Sequence, residues 1–155
     1  MVNLCSDVLA ALRAAGKTLA TAESLTGGGI GAALTSVPGA SSVYKGGIIS
    51  YTDQVKNQVL GVPIEILECH GAVSELVAKA MVAGVRKLLK ADVAVSVTGL
   101  AGPGGDEFGH SVGTVFIGYE DQNIATVVEC HFAGDRDHIR DQTVRTALEL
   151  ILKHL

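Results

Sequence analysis

The sequence predicts an α/β fold, a three-layer α/β/α sandwich with a mixed, mostly parallel sheet and an antiparallel hairpin. Short apolar runs typical of strands alternate with segments whose apolar residues recur at helical spacing. Two strand-like runs near the C-terminus flank Asp121-Gln122-Asn123, which is typical of a hairpin. The 155 residues, 48% apolar and 18% charged, suit one folded domain over residues 1–155.

In the first half of the chain, we expect two strands, each followed by helix. Leu4, Val8, Leu9 and Leu12 have helical spacing, and Gly16 is placed to end that helix. The next elements are a strand over 18–22, a helix of small residues over 28–36, a strand over 43–51, a helix begun by Thr52-Asp53 and ended by Gly61, and a helical turn over 63–67. In the helix after Thr52, we expect Val55, Val59 and Leu60 to face inward.

The second half predicts a longer helix, three strands and a terminal helix. Ser74 is placed to cap the first helix, with Val77, Met81, Val85 and Leu88 facing inward. A strand over 92–98 and a glycine-rich loop over 99–106 follow, and the hairpin strands cover 112–119 and 124–132. Asp135 then caps a helix whose buried residues are expected to be Val144, Leu148, Ile151 and Leu155.

Charge and composition argue against several classes of partner. The formal net charge is −4 and no basic stripe exists, so we expect no nucleic-acid binding. The longest uncharged run, 24–44, contains glycines, hydroxyl residues and Pro38, which argues against a membrane span. The first residues do not resemble a signal peptide, and an odd count of three cysteines suggests reduced thiols. We therefore expect a cytoplasmic protein.

Two Cys-His pairs, Cys69-His70 and Cys130-His131, raise the possibility of a metal site. Adjacent side chains on a strand point to opposite faces, and no Cys-x-x-Cys spacing is present. Nor does either glycine-rich segment match a phosphate-binding loop. We expect no metal and no cofactor.

Three polar, glycine-rich segments follow predicted strands, namely 23–29, 51–56 and 98–106. Ligands of open α/β sheets bind beyond the carboxyl ends of the strands, so these segments are candidates for a shared site. Each also has a simpler interpretation. Ser24 or Thr26 could cap the next helix, Lys56 could be a solvated charge, and the Gly-Pro-Gly-Gly run could be only a turn.

Taken together, the segments suggest a serine nucleophile. Ser24 precedes a helix N-terminus, where amides near Gly27 and Gly28 could hold an oxyanion. Lys56 is a plausible base if its pKa falls by about 2–3 units from its usual value. Burial and the nearby phenol of Tyr51 could supply part of that shift.

Six collinear blocks, residues 22–28, 46–56, 70–75, 98–105, 112–115 and 134–136, closely resemble the CinA (competence/damage-inducible protein A) C-terminal domain family. The resemblance implies a nicotinamide-nucleotide amidase that converts nicotinamide mononucleotide to nicotinate mononucleotide and ammonia. It implies Ser24 as nucleophile, Lys56 as general base and Tyr51 as proton relay or modulator of the lysine. The implied substrate-binding residues are Thr26, Gly27, Gly28, Thr98, Gly99 and Arg136, with Arg136 as the phosphate or carboxamide-side anchor.

Other interpretations remain open at this point. The same pocket could belong to a non-catalytic nucleotide-binding or regulatory module, or to a serine hydrolase acting on another small amide. We also expect a homodimer or a higher homo-oligomer, because helices with small or apolar faces often pair and the family is usually oligomeric.

Overall fold

In the computed structural model, which describes residues 1–155, a five-stranded mixed sheet lies between two layers of helices. The strands are β1 (Leu19–Glu23), β2 (Tyr44–Ile49), β3 (Val93–Gly99), β4 (Thr114–Glu120) and β5 (Ala125–His131). The helices are α1 (Val2–Ala15), α2 (Gly29–Thr35), α3 (Asp53–Leu60), α4 (Ile64–His70), α5 (Glu75–Leu89) and α6 (Arg136–His154). The predicted order of elements is confirmed, with a short 3₁₀ turn added at Ala40–Ser42.

The strand order is β2-β1-β3-β4-β5. Strand β1 pairs in parallel with both β2 and β3, whereas β4 is antiparallel to β3 and to β5. The predicted mixed sheet and the C-terminal hairpin are therefore confirmed. The chain places β2 on one side of β1 and β3 on the other. Open α/β sheets bind ligands at such a change of direction, in the crevice beyond the carboxyl ends of the two strands, here β1 and β3.

Each face of the sheet packs against three helices. Helices α1, α2 and α6 cover one face around a large core cluster that includes Leu9, Ile30 and Leu148. On the other face, α5 packs across the sheet, with α3 and α4 beside it, around a cluster that includes Met81 and Val85. Because helices cover both faces of the sheet, every residue of β1 and all but the last residue of β3 are buried.

Predicted helix ends agree with the observed ones. The side chains of Thr52, Ser74 and Asp135 accept hydrogen bonds from the amides of the residues three positions later, at 3.3, 3.2 and 2.9 Å. Gly16, with φ of 63°, closes α1 in the left-handed conformation that a residue with a Cβ adopts at a cost.

Two residues expected to face inward are exposed. Leu88 is 48% exposed, because the next residue after Val85 on the buried face of α5 is four positions later, at Leu89. Val59 is 42% exposed for a related reason, since α3 turns Lys56 and Leu60, four residues apart, toward the core. No helix is both long and apolar enough to cross a bilayer.

Candidate active site

The three parallel strands end at one edge of the sheet. Glu23, the last residue of β1, pairs with Ile49 of β2 and with Val97 of β3. Ser24 and Ser50, which follow β1 and β2, and Thr98, near the end of β3, therefore lie side by side. Parallel pairing thus brings together residues that lie far apart in the sequence.

Lys56 and Ser24 form the central contact of this edge. The Lys56 ammonium donates hydrogen bonds to Ser24 Oγ at 2.9 Å and to the Ser50 carbonyl oxygen at 2.6 Å. Lys56 is 1% exposed and Ser24 is 7% exposed. The interpretation of Lys56 as a solvated charge is therefore wrong, because α3 points this side chain into the protein.

Burial changes the acidity of this lysine. Desolvation lowers the pKa of Lys56 from 10.5 to about 8, while the charge of nearby Asp53 partly opposes that effect. No carboxylate forms an ion pair with the ammonium, and its two partners are neutral oxygen atoms. The neutral amine, which a general base for a serine hydroxyl requires, is therefore a minority form at neutral pH that increases as the pH rises toward 8.

A cavity of about 330 Å³ opens over the Ser24-Lys56 pair. Six residues singled out from the sequence border it: Ser24, Tyr51, Lys56, Thr98, Gly99 and Arg136. Its volume lies in the range of small-molecule sites. The side chain of Thr98 bonds to the Ala72 carbonyl at 2.8 Å, so Thr98 helps to build the wall of the cavity.

Arg136 and Tyr51 meet at the cavity. Arg136 donates from Nη2 to the Tyr51 hydroxyl at 3.1 Å and from Nη1 to the Gly102 carbonyl at 2.7 Å. Tyr51 is 59% exposed and makes no hydrogen bond with Lys56 or Ser24. The phenol therefore contacts the arginine of the site, and burial rather than Tyr51 accounts for the lowered pKa of Lys56.

Thr26, Gly27 and Gly28 lie beside this cavity without bordering it. The Thr26 hydroxyl donates to Glu23 Oε1 at 2.7 Å, and the Gly27 amide donates to the Ser24 carbonyl at 3.0 Å. Gly28, with φ of 98°, precedes α2 and borders a different cavity with Tyr44. The expectation that the Gly27 amide is free to hold an oxyanion is wrong, because the turn itself uses that amide.

Glu23 occupies the N-terminus of α2. Its carboxylate, 2% exposed, accepts hydrogen bonds from the amides of Ile30 at 2.8 Å and Gly31 at 3.1 Å. A carboxylate at this position uses the free donors of the helix and offsets its dipole. The start of α2 is therefore not open to a substrate oxyanion, contrary to the sequence-based expectation.

Sequence reasoning missed two charged residues near Ser24. Glu23 directly precedes the nucleophile candidate and comes shortly before a helix start, where acidic residues are favoured. Arg140 follows Arg136 by four residues, a spacing that places both on one face of α6. Its guanidinium donates to the carbonyl oxygens of Leu25 at 3.0 Å and Thr26 at 3.2 Å.

A second cavity, of about 640 Å³, adjoins the first through the shared residues Ala72, Val73 and Leu100. Four acidic side chains border it: Asp53, Glu68, Asp106 and Glu107. A negative field on that side disfavours an anionic group and leaves Arg136 as the cation that a ligand anion would approach.

No group of three or more His, Cys, Asp or Glu side chains is arranged to hold a metal ion.

Comparison with known proteins places the chain in a family. A family model described as the CinA C-terminal domain matches residues 2–155. A CinA-like protein from Thermotoga neapolitana is 45% identical over 139 residues, which are 90% of this chain and 34% of that protein. A putative competence-damage inducible protein from Bacillus pumilus is 46% identical over 153 residues, covering 99% and 36%. The chain thus spans about a third of the length of these relatives.

Solved structures show the same fold. The chain superposes on a CinA superfamily protein from Escherichia coli with a TM-score of 0.97 and 37% identity, covering 99% of this chain and 90% of that one. For a competence/damage inducible protein from Agrobacterium tumefaciens, the TM-score is 0.94 at 38% identity, covering 97% and 93%. The sequence blocks, the fold and the family model agree, and this chain belongs to the CinA C-terminal domain family.

Proposed function

We propose that this chain hydrolyses the carboxamide of nicotinamide mononucleotide, giving nicotinate mononucleotide and ammonia. The observation that carries the proposal is the buried Lys56 ammonium 2.9 Å from Ser24 Oγ, beside a cavity of small-molecule size. A serine with a base of lowered pKa within hydrogen-bond reach is an activated nucleophile. The family resemblance supplies the substrate.

The proposed reaction begins with neutral Lys56. As Ser24 Oγ attacks the carboxamide carbon, its proton moves to Lys56 Nζ, and the carbonyl electron pair moves onto oxygen. Collapse of this tetrahedral intermediate breaks the C–N bond, and Lys56 returns the proton to the departing ammonia. Lys56 then takes a proton from the water that attacks the acyl-enzyme. As the ester C–O bond breaks, Lys56 returns this proton to Ser24 Oγ, which restores the hydroxyl and the neutral amine, and the released carboxylic acid ionises in water.

Arg136 is the proposed anchor for the phosphate of the nucleotide. Its guanidinium borders the same cavity as Ser24 and is the cation placed to form paired hydrogen bonds with a phosphate. In this structure, the Gly102 carbonyl and the Tyr51 hydroxyl hold it in place. A phosphate would replace one or both of these acceptors.

Ammonia and nicotinate mononucleotide are the products to measure, with wild type compared with Ser24→Ala. Ser41→Ala, on the exposed 3₁₀ turn, is the matched control and should keep wild-type turnover. Wild-type turnover that persists in Ser24→Ala contradicts the proposal. An increase in the melting temperature with the nucleotide, without product, favours the non-catalytic module. Turnover of another member of an amide panel favours a different substrate.

The expected homo-oligomer stays a prediction that light scattering tests.

A further inference from the structure

Two backbone amides next to Ser24 have no hydrogen-bond acceptor. In the turn after β1, the amides of Ser24, Gly27 and Gly29 donate to carbonyl oxygens of Val97, Ser24 and Thr26. The amides of Leu25 and Thr26 donate to no backbone or side-chain group, although these residues are only 4% and 2% exposed. The Gly28 amide is also unpaired, but Gly28 is less buried and borders a different cavity. Buried amides are nearly always paired, so an unpaired pair beside a nucleophile indicates a site for a ligand oxygen.

The carbonyl oxygens of these two peptide units accept hydrogen bonds, and this fixes the direction in which the unpaired N–H groups point. A trans peptide is planar, and its C=O and N–H groups point in opposite directions. The Ser24 carbonyl accepts from the Gly27 amide at 3.0 Å, and the Leu25 carbonyl accepts from Arg140 Nε at 3.0 Å. The free N–H of Leu25 therefore points away from the Gly27 amide, and the free N–H of Thr26 points away from the Arg140 guanidinium.

Leu25 also borders the cavity that contains Ser24 Oγ. Its side chain belongs to the buried core cluster, and its main chain continues directly from Ser24. The start of α2, the other source of amides nearby, is occupied by Glu23. The Leu25 and Thr26 amides are thus the donors left beside the nucleophile, and the amide that follows a nucleophile commonly serves as an oxyanion donor in hydrolases.

Arg140 makes contacts that a shorter or single-donor side chain could not reproduce. From α6, it donates through Nε to Leu25 and through Nη2 to Thr26, so that one planar group spans two successive carbonyls. Its remaining nitrogen, Nη1, lies 3.7 Å from the exposed carboxylate of Asp137. Arg140 therefore joins the helix that carries Arg136 to the turn that carries Ser24.

We propose that Arg140 is a positioning residue for an oxyanion hole formed by the Leu25 and Thr26 amides in the Ser24 reaction. Through the Leu25 carbonyl it holds the Thr26 amide directly. Through the Thr26 carbonyl it holds the Gly27 amide, whose hydrogen bond to the Ser24 carbonyl orients the Leu25 amide. This inference rests on the proposed amide hydrolysis. When Ser24 Oγ bonds to the carbonyl carbon, the C=O electron pair moves to the oxygen, and both amides donate to that oxygen. Without the guanidinium, the Leu25-Thr26 peptide can rotate, and the intermediate loses the aligned Thr26 donor.

An acylation assay separates this role from the identity of the natural substrate. The assay compares wild type, Arg140→Gln and Arg140→Lys. It measures the rate at which each is acylated by p-nitrophenyl acetate and by its thiono analogue, in which sulfur replaces the carbonyl oxygen. Sulfur is a weak hydrogen-bond acceptor, so a thiono ester depends less on the oxyanion hole. Arg145→Gln is the matched control, because Arg145 lies on the same helix and makes only a surface contact of 3.9 Å with Glu149.

For Arg140→Gln, we expect acylation by the oxygen ester to fall by roughly 10²-fold, and acylation by the thiono ester to fall at least about tenfold less. Arg140→Lys should recover part of the loss through its single donor nitrogen, and Arg145→Gln should match wild type. Should Arg140→Gln fail to fold, Arg140→Lys carries the same comparison of the two esters.

Equal losses on both esters, or rates for Arg140→Gln close to wild type, overturn the proposal. So does wild-type protein in which neither ester acylates Ser24. Acylation that follows the expected pattern, in a protein that releases no ammonia from nicotinamide mononucleotide, supports the role of Arg140 and contradicts only the proposed substrate.

Discussion

The Lys56 ammonium lies 2.9 Å from the hydroxyl oxygen of Ser24, although 32 positions separate the two residues in the chain. One residue follows strand β1 and the other lies in the first turn of helix α3, after strand β2. Burial of the lysine, rather than a charged partner, lowers its pKa to about 8. The proposed chemistry depends on this pair and on the groups that hold it.

The rate of the proposed reaction should rise with pH. Lys56 acts as a base only when neutral, and its neutral fraction increases as pH passes through its pKa of about 8. The ratio kcat/KM for ammonia release should therefore increase to a plateau above that pH. Lys56→Met should lower kcat by roughly 10²- to 10⁴-fold. A kcat/KM that is flat across this pH range contradicts the role of Lys56 as base.

Removing the buried charge should stabilise the fold. The unfolded chain binds a proton at Lys56 below pH 10.5, whereas the folded chain does so only below about 8. Below pH 8, wild type therefore carries the full penalty of burying an ammonium, and Lys56→Met should raise the free energy of unfolding by about 1–3 kcal/mol.

This gain should shrink as pH rises from 8 to 10.5, because the folded wild type then holds a neutral amine. Urea unfolding at several pH values measures it. Lys79→Met, at an exposed position of α5, is the control and should show no such pH-dependent difference from wild type. A Lys56→Met protein less stable than wild type at neutral pH argues that its hydrogen bonds outweigh the desolvation.

Arg136 and Tyr51 should affect binding more than chemistry. Arg136→Gln removes the proposed phosphate partner, so KM for the nucleotide should rise by about 10- to 100-fold with a smaller change in kcat. Tyr51→Phe removes one hydrogen bond that holds this arginine and should raise KM by a smaller factor. Steady-state kinetics across pH also tests the proton-relay role. If Tyr51 tunes Lys56, Tyr51→Phe shifts the pH midpoint of kcat/KM; if it acts through Arg136, that midpoint stays in place.

Glu23 should matter for stability and for the shape of the turn. Its carboxylate accepts hydrogen bonds from two α2 amides and from the Thr26 hydroxyl. In Glu23→Gln, the new NH₂ group faces donors and the negative charge at the helix N-terminus is lost. We expect the free energy of unfolding to fall by about 1–3 kcal/mol. Glu149→Gln, at an exposed surface pair, should be nearly neutral in the same denaturation series.

Local patterns in the sequence were sufficient for the elements and their order. Helical spacing, capping residues and the short hairpin connection depend on neighbours within a few positions. The caps at Thr52, Ser74 and Asp135 are found where the residue types predict them. Spacing alone misjudged Leu88 and Val59, because the side of a helix that faces the sheet is set by packing over its whole length.

The candidate site divides in the same way. Ser24 and Lys56 could be selected from their residue types and their places after strands, and the motif resemblance added Tyr51, Thr98, Gly99 and Arg136, which border the same cavity. Residue types did not reveal that Glu23 occupies the start of α2 or that Arg140 reaches the turn from α6. These contacts join segments up to 115 positions apart.

The sequence by itself determined the secondary structure, the family and the two residues most suited to nucleophile and base. Only the tertiary structure decided that Lys56 is buried against Ser24, that Tyr51 contacts Arg136, and which amides of the turn are free. The physical reason is that the pKa of a lysine, and the hydrogen bonds left open in a turn, depend on solvent exclusion and on distant partners. Parallel strand pairing and helix packing create both of these, and neither is encoded in a local pattern.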